Sequence, residues 1–370
     1  MVDTIDVFYN FPSWEDYDLC LNVIDQMSRD EDGQELHKPK KRKKPKEKKK
    51  REEPENKKRR KYVTTAFAHI GILEIKFFRT EYHNSIYLKL KPILLLYPGS
   101  YFRLATMKDY PEICRMMNEF LKNIEELGEK PLFPPIELWH ISRIDYAFDI
   151  ETPFVAEYIS AFKMGKLPPG FDKPEAYDTS AYLKSDHANI NFYDKIAQVK
   201  KIFKLSDEDI ATDLHHTPEG IIRLEVQCHN AYLQYLKKHE TILDTALQDL
   251  FDADIAREEV LGRVKSLIWK NDFYPYEVCI DAIAKKHKGK VMRACGDILR
   301  QLIRKPELSL ADIKSAYEDS GIDFNKIIHI IRKCGINAIP LEAICRDRTK
   351  SLPTKRLINP YNLIVLGTGQ

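Results

Sequence analysis

The chain has 370 residues, 43% of them hydrophobic, which is enough for two or more domains with sizeable cores. No apolar run approaches the roughly 18 residues that span a bilayer, and the first residues lack the basic start and apolar stretch of a signal peptide, so a cytoplasmic protein with no membrane partner is expected. The net charge of +3 hides an asymmetry: Lys38–Lys61 holds sixteen Lys or Arg against four Glu, so the remainder is acidic.

In chain order, residues 2–11 alternate, with Ile5, Val7, Tyr9 and Phe11 on one face of a predicted strand. Residues 14–28 follow as a helix with Leu19, Val23, Ile24 and Met27 inward. The segment 38–61 has almost no apolar residue and carries Pro39, Pro45 and Pro54. It cannot bury enough surface to offset chain entropy, so it is expected to be disordered. Its charge suits an arm for phosphate backbones, with Lys41, Arg42, Lys43, Lys44, Arg59 and Arg60 as the contacts; a solvated linker is the plain alternative. Residues 63–78 and 84–91 read as strands, and 111–127 as a helix that opens on Pro111 and stops at Gly128. A second helix spans 153–164.

Three strand-like segments carry the chemistry. In 139–150, Ile144, Tyr146, Phe148 and Ile150 share one face, and Arg143, Asp145, Ala147 and Asp149 the other. In 189–195, Ile190 and Phe192 oppose Asn191, Tyr193 and Lys195. In 221–227, Ile222, Leu224 and Val226 oppose Arg223, Glu225 and Gln227. If the apolar faces share a core, the opposite face gathers two carboxylates, a phenol and several cations.

That set suits metal-assisted chemistry on a phosphate. Magnesium or manganese prefers oxygen ligands and takes one or two carboxylates, so Asp145 and Glu225 are the expected metal ligands. Asp149 lies four residues further along and is the weaker candidate. Tyr193 offers a nucleophile, Lys195 a charge to neutralise its phenolate, and Arg143 and Arg223 donors for phosphate. The plain alternative is a packing tyrosine and two acids paired with Arg143 and Arg223 on a solvated face. Between the second and third segments lies a polar stretch with Asp207, Asp209, Asp213, His215 and His216, in which His215-His216 reads as a surface loop rather than a ligating pair. Seven scattered cysteines without a Cys-x-x-Cys pair argue against a disulfide framework and a zinc site. Beyond residue 230 helical spacing dominates: 243–251, 260–268, 276–303, 310–318 and 323–334. The last two form a helix–turn–helix, for which an ordinary packed pair and DNA readout by the second helix are both open.

The segments Ile141-Ser142-Arg143-Ile144-Asp145, Tyr193-Asp194-Lys195 and Arg223-Leu224-Glu225-Val226, followed by Tyr232-Leu233, resemble in order and spacing the replication initiators of filamentous phages and the related Rep_trans-type plasmid initiators of rolling-circle replication. The resemblance is sharp over 140–235. It implies an enzyme that nicks and rejoins one strand at an origin through a 5′-phosphotyrosyl intermediate, with Tyr193 as nucleophile, Lys195 assisting, and Asp145 and Glu225 holding the metal. It also implies single-stranded or supercoiled origin DNA as substrate and a host helicase and polymerase as partners. A dimer is open. Tyr177 or Tyr182 could serve as a second tyrosine, and the basic tract departs from the family pattern.

The expected fold is α+β. Residues 1–37 supply an N-terminal strand and helix of the catalytic domain, 38–61 a basic insertion, 62–240 a mainly antiparallel nicking domain with flanking helices, and 241–370 a helical C-terminal region. A DNA-binding regulator without catalysis, and a metal nuclease that uses water, are the competing classes.

Overall fold

The structure, a computed structural model, describes residues 1–29, 60–80, 82–172, 175–239, 247–305, 307–317, 323–345 and 355–367. Its strands are β1 (Val2–Asn10), β2 (Arg60–Thr64), β3 (Ile72–Arg79), β4 (Asn84–Leu90), β5 (His140–Glu151), β6 (Glu175–Tyr177), β7 (Ser180–Lys184), β8 (Ala188–Asp194) and β9 (Ile221–His229). Its helices are α1 (Trp14–Met27), α2 (Pro92–Leu96), α3 (Tyr110–Leu127), α4 (Val155–Met164), α5 (Lys195–Phe203), α6 (Asp207–Leu214) and α7 (Asn230–Lys238). They continue as α8 (Ala253–Ile268), α9 (Tyr276–Ala284), α10 (Gly289–Arg304), α11 (Leu310–Tyr317), α12 (Phe324–Lys333), α13 (Leu341–Ile344) and α14 (Pro360–Gly367). The class is α+β, every named element after β9 is helical, and no helix among the described residues is long and apolar enough to cross a membrane.

The chain folds into two compact units, Met1–Tyr146 with Cys228–Ala256, and Ala147–Gln227 with Arg257–Gln370. In the first unit the strand order is β2-β3-β4-β1-β5, and all of these neighbours pair antiparallel. Alternation sends Ile5 and Val7 of β1, Ile75 and Phe77 of β3, and Ile86 and Leu88 of β4 into a core closed by Cys20, Val23 and Ile24 of α1 and Ile113, Met117, Leu121 and Ile124 of α3. The opposite face carries an aromatic row: Phe8 stacks on Tyr87 at 5.1 Å, Tyr87 meets Phe78 edge-on, and Phe8 lies beside His140.

Several sequence expectations change here. The 63–78 segment is not one strand. Ala68–Ile70 form a 3₁₀ turn, and Gly71, at φ 91°, brings the chain round against the backbone of Leu94 and Leu95. A side chain at Gly71 would face both that left-handed backbone and a contact of 2.7 Å. Within the basic tract, Lys41, Arg42, Lys43, Lys44 and Arg59 lie outside the described residues, but the tract's last two residues, Arg60 and Lys61, open β2 rather than a disordered arm.

In the second unit the strand order is β9-β8-β7-β6, and the end of β5 lies in the same unit. Ile190 and Phe192 of β8 and Ile222, Leu224 and Val226 of β9 are buried, as is α4, whose Phe162 stacks flat on Phe192 at 3.5 Å. The polar stretch, given no secondary structure from sequence, holds helix α6 over Asp207–Leu214: Ser206 and Asp209 close a reciprocal capping box that satisfies its first N–H groups. The 276–303 expectation divides at Lys285–Lys288 into α9 and α10. The helix at 111–127 and that at 153–164 stand nearly as read, and the latter ends at Gly165.

Candidate active site

Each member of the polar set is placed by its strand. On β8, Asn189, Asn191 and Tyr193 alternate with buried Ile190 and Phe192; on β9, Arg223, Glu225 and Gln227 alternate with buried Ile222, Leu224 and Val226. The two polar rows meet in a ladder of hydrogen bonds. The Tyr193 hydroxyl donates to Glu225 Oε2 at 2.7 Å. Glu225 Oε1 accepts from Asn191 Nδ2 at 2.9 Å and from Gln227 Nε2 at 2.7 Å. Asn189 Nδ2 in turn donates to Gln227 Oε1 at 3.0 Å. The partners step in opposite directions along the two strands, as residues of antiparallel neighbours do.

The face is not solvated. Tyr193 is 4% exposed, Glu225 5% and Arg223 0%. A carboxylate so buried is tolerable only with its oxygens satisfied, and three donors do that here. Arg223 is held differently from the expected phosphate clamp: its Nε and Nη2 grip Asp149 at 2.6 and 2.5 Å, a bidentate pair inside the second unit. Asp149, the weaker metal candidate, is therefore committed to an arginine.

Lys195 departs from the alternation argument. The strand stops at Asp194, whose side chain caps α5 by accepting from Ala197 N, so Lys195 is the first residue of a helix and not the next residue of β8. It is buried and donates from Nζ to Gln198 Oε1 at 2.9 Å.

Asp145 belongs to the first unit. Both its oxygens are taken by the guanidinium of Arg143, with Nε at 2.7 Å and Nη2 at 2.5 Å. Arg143 faces Asp6 across the β1–β5 pair. Burial raises the Asp6 carboxyl above its ordinary value, against the pull of Arg143, and one of its oxygens is buried with no hydrogen-bond partner among the described residues. His229 is pushed down, first by burial and then by Arg143.

This donor set is hydrogen-bonded rather than open. Glu225 meets a phenol and two amides, Asp145 meets an arginine, and among the described residues no three His, Cys, Asp or Glu side chains gather as a metal-holding group. Asp145 and Glu225 lie in different units, and each is hydrogen-bonded within its own. His216 lies on the surface and pairs with Glu151 at 2.8 Å, as a solvated histidine does.

Sequence reasoning named Tyr193 and Glu225 but gave Asn191 and Gln227 no role. The signal was present: both sit two residues from a member of the pair, hence on its face. What the arrangement can do is hold a phenol against a fixed carboxylate, the pairing that activates a hydroxyl nucleophile. Comparison with family models, with curated proteins and with solved structures returns no match for this chain.

Proposed function

We propose that the chain nicks and rejoins one strand of DNA at an origin, through a 5′-phosphotyrosyl intermediate on Tyr193, and so starts rolling-circle replication. The observation that carries this reading is the 2.7 Å hydrogen bond from the Tyr193 hydroxyl to Glu225, whose other oxygen is fixed by Asn191 and Gln227. The resemblance of the Asp145, Tyr193 and Glu225 segments to phage and plasmid initiators supports it and supplies the reaction.

A free phenol, with a pKa near ~10, is almost wholly protonated at neutral pH and needs an acceptor as it attacks. In the proposal the Tyr193 oxygen bonds to phosphorus while its proton passes to Glu225. The bond from phosphorus to the 3′ oxygen breaks, and that oxygen leaves as a hydroxyl after taking a proton from water. The phosphotyrosine keeps the energy of the broken ester, so the reverse attack by a 3′ hydroxyl rejoins the strand without ATP. Lys195, buried at the start of α5, is assigned the neutralising charge. Arg143 and Arg223 act through Asp145 and Asp149 as positioning residues. Magnesium or manganese enters as an ion to be titrated.

A second reading is favoured by burial: with Tyr193 4% exposed and Glu225 fully partnered, the ladder serves to fix strand register. One experiment separates the two. The full chain is incubated with a labelled single-stranded origin oligonucleotide, with magnesium, with manganese and with chelator, and run under denaturing conditions. The nicking reading expects a protein-linked band that Tyr193→Phe abolishes while binding stays within about twofold. An uncut strand supports the register role or a regulator, and a cut strand without adduct a nuclease that uses water.

A further inference from the structure

The second unit carries a basic surface assembled from two segments distant in sequence. Between α9 and α10, the stretch Lys285-Lys286-His287-Lys288-Gly289-Lys290 and the following Arg293 hold five lysines or arginines and no acid; all five are exposed. The chain can make this turn because Gly289 adopts φ 61°. Helix α12 has no acid either. It buries Phe324, Ile327, Ile328 and Ile331 and exposes Asn325, Lys326, His329 and Lys333. The two are joined directly: Lys286 Nζ donates to the Lys333 carbonyl at 2.9 Å. Helix α10 packs against α9, α11 and α12, so turn and helix are held on one support. Of the acids near in sequence, Asp297 pairs with Arg300 and Asp323 caps α12, while Asp281 stands exposed one turn before Lys285 on α9.

Such a surface costs stability unless something anionic meets it. Lys290 and Arg293 stand in the first turns of α10, where the helix dipole disfavours cations, and that helix has neither an acidic residue in its first turn nor a side-chain cap. The chemistry also selects among anions. Single strands are held chiefly by stacking on large aromatic side chains, and no exposed Phe, Tyr or Trp lies in 285–293 or 324–333. A helix with Asn, Lys and His on its exposed face suits the wide major groove of DNA, whereas the deep, narrow major groove of RNA excludes a helix. We propose that this face docks on duplex DNA, with Lys285, Lys286, Lys288, Lys290 and Arg293 on the phosphates and α12 presented to the major groove. The inference is independent of the nicking reading.

The test uses the full chain and a fluorescent DNA duplex of mixed sequence, about 30 base pairs long, with anisotropy titrations between about 50 and 200 mM salt. Replacing Lys285, Lys288, Lys290 and Arg293 together by Gln is expected to lower the slope of log affinity against log salt by about 3–4, because each phosphate contact contributes about 0.9. The corresponding Lys→Arg and Arg→Lys exchanges keep the charge and should keep the slope, which separates lost charge from lost folding. Gln replacements at Lys41, Arg42, Lys43 and Lys44, measured alongside, account for the basic tract. An unchanged slope in the first variant, or an equal loss of binding to a single strand or an RNA duplex, overturns the proposal.

Discussion

Glu225 shows why a buried acid can be read as either chemistry or architecture. Its two oxygens accept from Tyr193, Asn191 and Gln227, so nothing about it is unsatisfied. Asp6, in the other unit, is the contrasting case: one oxygen is buried without a hydrogen-bond partner among the described residues, and burial raises its carboxyl above the ordinary 3.8. The sign follows from linkage. The folded state favours protonated Asp6, whereas the unfolded chain ionises at 3.8, so its contribution is intact below that value and is lost as pH rises through the folded value. At neutral pH the ionised, part-orphaned group is a cost. Asp6→Asn is therefore expected to stabilise the protein at neutral pH by about 1–3 kcal/mol, the penalty of an unsatisfied buried group, and the gain should vanish below pH 3.8. Thermal melts across that range check it; a variant less stable at pH 7 would show that Arg143 and Lys89 outweigh the desolvation.

Among the elements, legibility followed the hydrophobic period. Helix α3 was readable because Ile113, Met117, Leu121 and Ile124 recur at helical spacing and all four are buried. Helix α6 was not: Ile210 is its one buried residue, so no apolar period marks it, and its start rests on the capping box of Ser206 and Asp209 and on the acids of its first turn. The alternation on β8 held through Tyr193 and failed at Lys195, because Asp194 turned the chain into α5 by capping it. Contacts between elements are less readable still. Gly220 shows this: it immediately precedes β9, its carbonyl accepts from Thr152 N at 2.8 Å, and a Cβ there would lie 2.7 Å from the Thr152 carbonyl oxygen and 2.9 Å from Val155 Cγ2. The backbone atom cannot swing away as a side chain can. Gly220→Ala should destabilise by about 1–3 kcal/mol, the cost of overpacking, and do so by parting the start of β9 from the turn after β5. Denaturant midpoints measure the loss, and amide exchange at Thr152 should quicken first. Equal midpoints would mean that the turn yields at no cost.

For the whole molecule, the linear sequence suggests a catalytic stretch that ends at residue 240 with helices appended, whereas compactness divides the chain by contacts that no local pattern reveals. The first unit takes back Cys228–Ala256 after the chain has built the strands of the second, and the divisions fall inside β5, β9 and α8. The returning segment is not decoration. Within it Leu233, Leu236, Leu247, Leu250 and Phe251 are buried, the Tyr146 hydroxyl donates to the Leu250 carbonyl at 2.9 Å, and Phe251 meets Tyr110 at 5.4 Å. Each large apolar side chain removed from water contributes about 1.5–3 kcal/mol, so losing Leu247, Leu250 and Phe251 removes an amount comparable to the whole stability of a small domain. A fragment ending at residue 240 also deprives the second unit of Arg257–Gln370, including buried Val260, Val264, Leu267 and Ile268. Such a fragment is expected to show no cooperative thermal transition and to be cleaved by protease within β5 and β9, where the full chain resists. A fragment that melts cooperatively and still captures DNA through Tyr193 would mean that the nicking machinery needs neither the returning segment nor the C-terminal helices.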